Sequence, residues 1–315
     1  MNAPQMPADR WASDYHAPVL VDEVLALLHD KRDILDGTLG GGGHTLALLE
    51  HGAMVTALDR DPQAVEAARE RLRAQEAAGR FHPILGNFAD VDRIPALAGR
   101  RFDGILLDLG VSSHQLDDLA RGFSFREGAP LDMRMSGAEE SAADVLNESG
   151  ERELARIFRD YGDEPRAARL AREVARRRAN RPFATSDDLV GAIRGALGAR
   201  TGPGDFARLF QAVRIATNDE LAGLERALPA LRDRLVPEGV LVVIAYHSGE
   251  DRLVKHAMRE WSAACICPPR QLTCTCRGRP LGETLTRKPV FPTEGETARN
   301  PRARSARLRA WRSAA

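Results

Sequence analysis

Hydrophobic and polar positions follow two alternating patterns along residues 34–111. Short apolar runs have the length of buried strands. The segments between them repeat apolar residues at helical spacing, as Val65, Ala68 and Leu72 do. Strands that alternate with helices predict βαβ units and a parallel sheet. The predicted strands end at Ile34-Leu35 or cover Met54–Leu58, Phe81–Leu85 and Gly104–Leu109.

A change of pattern after Ser113 predicts an insertion into this sheet. Residues 141–228 have the periodicity of helices. A strand pattern returns only at Val240–Tyr246, after the turn residues Pro237-Glu238-Gly239. We therefore expect an α/β fold whose sheet domain is interrupted by a helical domain. The predicted bounds are 1–118 and 212–315 for the discontinuous sheet domain and 119–211 for the inserted helical domain.

Composition limits the class of protein further. Hydrophobic residues make up 43% of the 315 positions, which is enough for a buried core. The longest apolar run, Val240–Tyr246, is much shorter than a membrane span. The first residues form no apolar signal segment, and four cysteines lie in one short stretch, as fits a reducing compartment. We expect a cytoplasmic protein with no membrane segment.

Charge is balanced in total but uneven along the chain. Lys plus Arg and Asp plus Glu number 45 each, and a net charge of zero argues against a nucleic-acid partner. From Thr297 onward, however, the chain has arginines and no acid, and Arg176–Arg178 form a second basic group. Like charges repel unless a polyanion offsets them, so this segment predicts RNA contact; solvated or ion-paired side chains are the alternative. The arginines are Arg299, Arg302, Arg304, Arg307, Arg309 and Arg312.

A glycine-rich stretch, Asp36–His44, follows the first strand and opens a helix. Glycines let the backbone approach a ligand, and a helix N-terminus offers N–H groups to an anion. Asp59 ends the next strand, where a carboxylate commonly binds ribose hydroxyls. Phe88 follows the third strand and is placed to cover an adenine or to pack in the core. Asp108 ends the fourth strand, so these markers share the ligand edge of the predicted sheet.

The details of the turn discriminate between nucleotide ligands. A phosphate-binding Walker loop is excluded because no Gly-Lys-Ser/Thr follows the glycines. A nicotinamide site requires G-x-G-x-x-G; Gly40 and Gly42 fit, but Thr45 occupies the third position. S-adenosylmethionine sites favour an acid before the glycines, which Asp36 supplies. The alternatives are a nicotinamide-dependent oxidoreductase and an RNA-binding assembly factor with a vestigial fold.

Motifs along nearly the whole chain carry a family resemblance. The sequence resembles the bacterial 16S ribosomal RNA (cytosine-N4)-methyltransferases, also called the MraW type. The matching segments are His16–Leu20, Asp36–His44, Leu58–Pro62, Ile105–Ser113, Gln115–Asp117, Arg121–Phe125, Pro130–Met135, Phe210–Ile215, Asn218–Leu221, His247-Ser248, Glu250–Arg252 and Asn300–Arg309. Two positions depart from the family pattern, since His114 replaces a proline and Gly249 replaces a leucine. Both departures concern local loop geometry.

The resemblance implies a class I, Rossmann-like methyltransferase sheet with an inserted helical substrate-recognition domain. It implies transfer of a methyl group from S-adenosyl-L-methionine to the N4 amine of a cytosine near the decoding centre. The partner is then 16S rRNA or the small ribosomal subunit. The cofactor contacts that it implies are Gly42, Gly43, His44, Asp59, Phe88, Asp108 and Gln115.

The reaction requires positioning and hydrogen-bond acceptors. The N4 lone pair of cytosine is delocalised into the ring, so it must be held about 3–3.5 Å from the methyl group. Acceptors around the N–H bonds localise the lone pair and stabilise the cationic amine. Asp108 is the first candidate for this role. The further candidates for catalysis or substrate contact are Ser112, Ser113, His247 and His16.

Four cysteines form two Cys-x-Cys pairs in a short stretch. Residues two apart in extended chain share a face, so each pair could hold one side of a zinc ion. The usual ribbon spacing is Cys-x-x-Cys, however, and the reaction demands no metal. We therefore expect reduced loop thiols and no metal site, with structural zinc as the alternative. The residues are Cys265, Cys267, Cys274 and Cys276.

Overall fold

The computed structural model describes residues 10–13, 17–137, 140–268, 271 and 273–315. The chain divides into two compact units. The first consists of Met1–Gly110 and Leu221–Ala315, and the second is Val111–Glu220. The second unit therefore extends beyond the predicted range 119–211 at both ends.

Seven strands among the described residues form one sheet, in the order β3-β2-β1-β4-β5-β7-β6. Strands β1 to β5 are parallel, whereas β7 lies antiparallel between β5 and β6. This arrangement confirms the predicted α/β class with a mainly parallel sheet. The strands are β1 Asp33–Asp36, β2 Met54–Asp59, β3 Phe81–Leu85, β4 Phe102–Asp108, β5 Leu235–Ala245, β6 Gly282–Thr284 and β7 Arg307–Ser313.

Helices flank the sheet and form most of the second unit. None in the described part of the chain is long and apolar enough to cross a membrane. The α-helices are α1 Val21–Leu28, α2 Gly43–Glu50, α3 Pro62–Arg71, α4 Arg73–Ala77, α5 Ser113–Asp117, α6 Ala142–Glu148, α7 Glu151–Arg156, α8 Ala167–Arg178, α9 Ser186–Leu197, α10 Pro203–Thr217, α11 Glu220–Asp233, α12 Ser248–Trp261 and α13 Glu294–Arg299.

Helix α3 begins as its sequence predicts. Asp61 is the N-cap, and its side chain accepts a hydrogen bond from the backbone N–H of Gln63 at 3.0 Å. Pro62 occupies the first turn, where a missing N–H costs nothing. Val65 and Ala68 are buried on the inner face of the helix. The cap thus turns the chain sharply at the end of β2, next to the ligand edge of the sheet.

Both faces of the sheet are covered, as the sequence of β5 shows. Val242 and Ile244 pack in one apolar cluster with residues of α1 and α2. Leu241 and Val243 point to the other face and pack with residues of α11 and α12. Because alternate residues of a strand face opposite sides, a strand covered on both sides has no polar position. This explains the continuous apolar run that the sequence shows at Val240–Tyr246.

Strand β5 starts earlier than predicted. Leu235 pairs with Phe102, whereas Val240 pairs with Gly104, so the residues between them leave the regular ladder. Glu238 lies in this irregular stretch with φ 60°, a left-handed conformation. The predicted turn at Pro237-Glu238-Gly239 is therefore a bulge inside the strand and does not precede it.

Strand β7 lies where the sequence analysis expected a basic segment. It pairs with β5 from Val240↔Arg312 to Ala245↔Arg307, and Trp311 is fully buried. Arginines alternate with apolar residues at the start of the strand, and their charge obscures the period-two pattern. The basic segment therefore continues into a strand of the sheet over residues 307–313.

The second unit has an apolar core of its own. Leu154, Phe158, Leu170, Leu189 and Phe210 are buried there and come from α7, the π-helical turn after it, α8, α9 and α10. These helices agree with the periodicity seen between residues 141 and 228.

Candidate active site

Three aspartates lie at the carboxyl ends of adjacent strands of the first unit. Asp36 ends β1, Asp59 ends β2 and Asp108 ends β4, in the sheet order β2-β1-β4. The chain leaves β1 toward one side of the sheet and reaches β4 on the other, so this is the position where open α/β sheets bind ligands. The structure therefore brings together the carboxylates that the sequence placed at strand ends.

Asp36 fixes the turn that follows it. Its Oδ1 accepts the backbone N–H of Thr38 at 3.0 Å, and its Oδ2 accepts the hydroxyl of Thr45 at 2.7 Å. Burial raises the pKa of this carboxyl. A Cβ on Gly37 would lie 2.4 Å from Cδ2 of the buried Leu107, so any larger residue there would force Leu107 to shift. Asp36 therefore acts by shaping the glycine turn.

The glycines of this turn have different reasons to be there. Gly40 and Gly42 adopt left-handed φ angles of 48° and 75°, which favour glycine. A Cβ on Gly43 would lie 2.8 Å from Cγ of Pro18, so this glycine permits close packing. Helix α2 begins at Gly43, directly after this turn, and its N-cap Gly42 has no side chain to accept the first N–H groups. A helix start of this kind can donate N–H groups to a ligand.

Asp59 connects the glycine turn to the start of α3. Its Oδ2 accepts the backbone N–H of Gly40 at 2.8 Å, and its Oδ1 accepts that of Asp61 at 2.9 Å. Burial raises the pKa of Asp59 to about 6, against the opposing effect of these two hydrogen bonds. Each carboxylate oxygen has a second lone pair, so Asp59 retains acceptor capacity for hydroxyl groups.

Asp108 is held by three neighbours. Its backbone N–H donates to Oγ1 of Thr38 at 2.6 Å, and its Oδ1 accepts the hydroxyl of Tyr246 at 2.9 Å. Its Oδ2 lies 3.6 Å from Nδ1 of His44. The other ring nitrogen of His44, Nε2, donates to the carbonyl oxygen of Val19 at 2.9 Å. The Val19 carbonyl thus fixes the His44 ring beside Oδ2 of Asp108.

Tyr246 was not selected by the sequence analysis. It is the last residue of the predicted β5 run and directly follows the observed strand. Burial and the neighbouring Asp108 raise the pKa of Tyr246 well above 10, so its hydroxyl stays a hydrogen-bond donor. The available signal was an aromatic residue with a polar tip at the carboxyl end of a buried strand.

Phe88 lies beside the glycine turn. It starts a 3₁₀ turn, Phe88–Arg93, which Asn87 caps by accepting the N–H of Ala89 at 2.9 Å. Its Cβ would be 3.4 Å from a Cβ on Gly37, and its half-buried ring packs against the cluster under β4. Phe88 therefore packs in the core while part of its surface is accessible at the ligand edge.

Ser112, Ser113 and Gln115 belong to the second unit. Ser112 is the N-cap of α5, and its Oγ accepts the N–H of Gln115 at 3.2 Å. Gln115 in turn accepts the N–H of Ser112 at 3.0 Å through Oε1, which completes a capping box. Ser113 and His114 occupy the first turn of this helix, so the helix accommodates the departure at His114.

His247 caps α12 in the first unit. Its Nδ1 accepts the N–H of Gly249 at 3.2 Å, and its Nε2 lies 3.2 Å from Oε1 of Glu250. Glu250 also accepts the N–H of Tyr246 at 2.8 Å. This network fixes the chain directly after β5. His16, the other histidine candidate, lies outside the described residues.

Several arginines of the predicted basic groups form ion pairs. Arg309 is buried and binds Asp251 through Nε at 2.6 Å, and Arg312 contacts Glu283. In the second unit Arg177 binds Glu173 at 2.7 Å. The ion-paired alternative is therefore confirmed for these residues. Arg302 and Arg304 have exposed side chains and lie in a 3₁₀ segment before β7. Other pairs are Arg176 with Glu173 and Arg181 with Asp188.

Fold and site together define the class of protein. A sheet in the order β3-β2-β1-β4-β5-β7-β6, with a glycine turn after β1 and carboxylates ending β1, β2 and β4, is that of a class I methyltransferase using S-adenosyl-L-methionine. The chain belongs to the MraW methylase family, whose model matches residues 13–314. This confirms the family resemblance and the predicted cofactor, and it gives no support to a nicotinamide-dependent oxidoreductase.

Curated relatives match this chain over nearly their whole length. Three of them are named "Ribosomal RNA small subunit methyltransferase H". The protein of Gemmatimonas aurantiaca is 64% identical over 301 residues, 95% of this chain and 96% of that protein. That of Heliobacterium modesticaldum is 45% identical over 307 residues, 94% and 97% of the two chains. That of Geobacter sulfurreducens is 46% identical over 307 residues, with the same coverage.

Proposed function

We propose that this chain methylates the N4 amine of a cytosine in 16S ribosomal RNA, near the decoding centre of the small subunit. The observation that carries this proposal is its 64% identity, over 95% of its length, to a small-subunit ribosomal RNA methyltransferase. The N4 atom and the decoding centre rest on the family resemblance. The enzyme would act in the cytoplasm, on 16S rRNA or the assembled small subunit.

The ligand edge of the first unit fits S-adenosyl-L-methionine. Asp59 would accept ribose hydroxyls with its remaining lone pairs, and the partly accessible ring of Phe88 would cover the adenine. The turn at Gly42 and Gly43 would let the backbone approach the cofactor. The proposed contacts remain Gly42, Gly43, His44, Asp59, Phe88, Asp108 and Gln115.

Asp108 would carry the chemistry. The bound cofactor supplies an electrophilic methyl group on a sulfonium sulfur. Asp108 would accept a hydrogen bond from one N4–H, which localises the lone pair and stabilises positive charge as the N–C bond forms. The nitrogen gains the methyl group as the bond from methyl to sulfur breaks and its electron pair stays on the sulfur, and the nitrogen then releases one proton to solvent. Tyr246 would hold the carboxylate in place by its hydrogen bond to Oδ1.

Ser112, Ser113 and His247 remain candidates for substrate contact. Each lies at a helix start, where N–H groups that the capping side chain does not bind could donate to phosphate or base oxygens. The second unit is proposed to recognise the RNA. The target cytosine must also leave its stack to reach a methyl donor, so binding has to favour an unstacked base.

The test is methylation of a defined substrate. Purified protein is incubated with S-adenosyl-L-methionine and with 16S rRNA or small subunits that lack the modification, and the nucleosides are separated by mass spectrometry. N4-methylcytidine is expected, and calorimetry should show binding of S-adenosyl-L-methionine and none of a nicotinamide dinucleotide. Methylation of another nucleoside would contradict the N4 assignment. Binding of RNA without any cofactor binding would favour the assembly-factor alternative.

A further inference from the structure

Four cysteine sulfurs converge in the loop between α12 and β6. The ligand atoms of Cys265, Cys267, Cys274 and Cys276 all lie within 4.8 Å of one another. The Sγ–Sγ distances are 3.8 Å for Cys265–Cys274, 3.9 Å for Cys267–Cys274, 3.5 Å for Cys274–Cys276 and 3.8 Å for Cys265–Cys276. The chain thus folds back on itself so that the two Cys-x-Cys pairs face each other.

These separations fit tetrahedral coordination of one metal ion. A zinc–thiolate bond of about 2.3 Å places the sulfurs of a regular tetrahedron about 3.8 Å apart. All four residues are free cysteines. Thiols are weak hydrogen-bond partners, and Cys265 and Cys274 are exposed, so interactions among the thiols alone do not account for the convergence.

Backbone N–H groups point at the sulfurs. Ile266 donates to Sγ of Cys276 at 3.4 Å, and Gly278 donates to the same atom. The N–H groups of Thr275 and Cys276 are directed at Sγ of Cys267. Donors of this kind stabilise the negative charge of a metal-bound thiolate and orient the ligand.

We propose that Cys265, Cys267, Cys274 and Cys276 bind one Zn²⁺ ion. Four protein thiolates complete a tetrahedral shell and leave no position for a substrate, so the site is structural. The ion connects the two arms of a surface loop in which Ile266 is 46% exposed. The sequence favoured reduced thiols because Cys-x-Cys is not the usual spacing of zinc ligands. The fold of the loop nevertheless brings the four sulfurs within the distances that a zinc site requires.

The location of the loop separates this site from the chemistry. Its base is closed by the hydrogen bond from Leu281 N–H to the carbonyl of Trp261 at 2.8 Å. Gly282, the next residue, pairs with Ser313, and the neighbouring Arg312 pairs with Val240 near the start of β5. The loop therefore lies at the amino-end edge of the sheet. The three aspartates lie at the opposite edge.

The test starts from metal content. Full-length protein without a histidine tag is purified under reducing conditions after growth with added zinc, and metals are measured by elemental analysis. We expect about one zinc per chain. The Cys265→Ser/Cys274→Ser variant should lose it, whereas the matched control Ile266→Ser/Thr273→Ser, with two serines in the same loop, should keep it. Wild type without zinc, with iron in its place, or with as much zinc as the cysteine variant would overturn the proposal.

A second measurement keeps the proposal independent of folding in the variant. Cobalt(II) loaded into wild type should give the strong visible absorption of a tetrahedral thiolate site, and zinc should displace it. Metal removal should speed amide hydrogen exchange at 262–281 by at least about tenfold and leave β4 and β5 protected. Affinity for S-adenosyl-L-methionine should stay unchanged. Octahedral cobalt spectra, or loss of cofactor affinity with the sheet intact, would contradict a closed structural site.

Discussion

At the scale of single residues, the carboxylates were predictable and their partners were not. Asp59 and Asp108 follow apolar runs, and the end of a parallel strand is a position that sequence alone defines. Tyr246 and Asp36 act through contacts made across the fold, with Asp108 and with Thr45, which no local pattern encodes. The roles assigned to site residues remain predictions, and Asp59 offers the most direct test.

Replacing Asp59 with alanine should weaken S-adenosyl-L-methionine binding. The ribose would lose a charged acceptor, which contributes about 1.5–3 kcal/mol, or roughly a 10- to 150-fold change in Kd. Calorimetry measures this directly. Asp103→Ala is the matched control. Asp103 also accepts two backbone N–H groups, those of Arg32 at 3.1 Å and Asp33 at 2.9 Å, but it lies at the amino end of β4, away from the ligand edge. Equal affinities for the Asp59 variant and wild type would remove Asp59 from the site.

The titration of Asp59 should affect stability. Burial raises the pKa of Asp59 from the ordinary aspartate value of 3.8 to about 6 in the folded protein. Between these values the folded chain binds a proton that the unfolded chain has released. The contribution to the free energy of unfolding is therefore complete below the lower pKa and is lost as pH rises through the higher one. The Asp59→Asn side chain cannot titrate. The free energy of unfolding, measured with urea at several pH values between about 4 and 6, should therefore change less with pH in this variant than in wild type. Parallel slopes would mean that Asp59 has an ordinary pKa.

Removing the hydroxyl of Tyr246 should slow methyl transfer without changing cofactor affinity. Tyr246→Phe deprives the Asp108 carboxylate of a donor worth about 1.5–3 kcal/mol, so the rate constant should fall roughly 10- to 150-fold. Single-turnover methylation measures this. Tyr161→Phe serves as the control, since its hydroxyl accepts a 2.9 Å bond from Arg156 in the second unit. If both variants keep the wild-type rate, Tyr246 does not position Asp108.

At the scale of elements, the first five strands were predicted and the last two were not. Strands β1 to β4 are bounded by turns or helix caps, and their apolar runs are unambiguous. Strand β7 contains Arg307, Arg309 and Arg312. Read as a basic segment, these residues do not show the alternation with Leu308 and Ala310 that is typical of a strand. Strand β6 has only three residues, too few for any periodic signal.

The ion pair between Arg309 of β7 and Asp251 should stabilise the fold more than a solvent-exposed ion pair does. Arg309 is 7% exposed and binds Asp251 through two nitrogens. Arg309→Ala leaves that carboxylate unpaired and should lower the free energy of unfolding by about 3 kcal/mol. Arg312→Ala breaks only solvent-exposed contacts and should cost less than about 1 kcal/mol. Denaturant unfolding compares the two, and equal losses would mean that burial of the Arg309 pair is unimportant.

At the scale of the whole molecule, a net charge of zero conceals a segregated distribution. Arg302 and Arg304 precede β7, which enters the sheet where Arg307 pairs with Ala245, the last residue of β5. They therefore lie at the same edge as Asp108. The sequence predicted a discontinuous sheet domain, but the predicted bounds differ by several residues from those of the compact units. Periodicity shows where helices and strands lie, and it does not show which unit a residue at the boundary contacts.

The Arg302→Ala/Arg304→Ala variant should bind RNA more weakly than wild type, and its affinity for RNA should depend less steeply on salt concentration. Each lost phosphate contact should reduce the slope of log K against log salt by about 0.7–0.9. Filter binding at several salt concentrations measures the slope. Arg101 is exposed and directly precedes β4, so it lies at the amino edge of the sheet, and Arg101→Ala should leave the slope unchanged. An unaltered slope in the double variant would exclude these residues as phosphate contacts.

The position of β5 in the sheet has a consequence for biosynthesis. Strand β4 pairs with β1 on one side and with β5 on the other, and residues 109–234, which include the second unit at 111–220, are translated between them. At about 5–20 residues per second, a nascent chain holds β4 as an open apolar edge for roughly 6–25 s before β5 is made. Unpaired edges of this kind recruit other strands. We expect newly made chains to depend on chaperones during this interval, and slower translation of the second unit to increase aggregation.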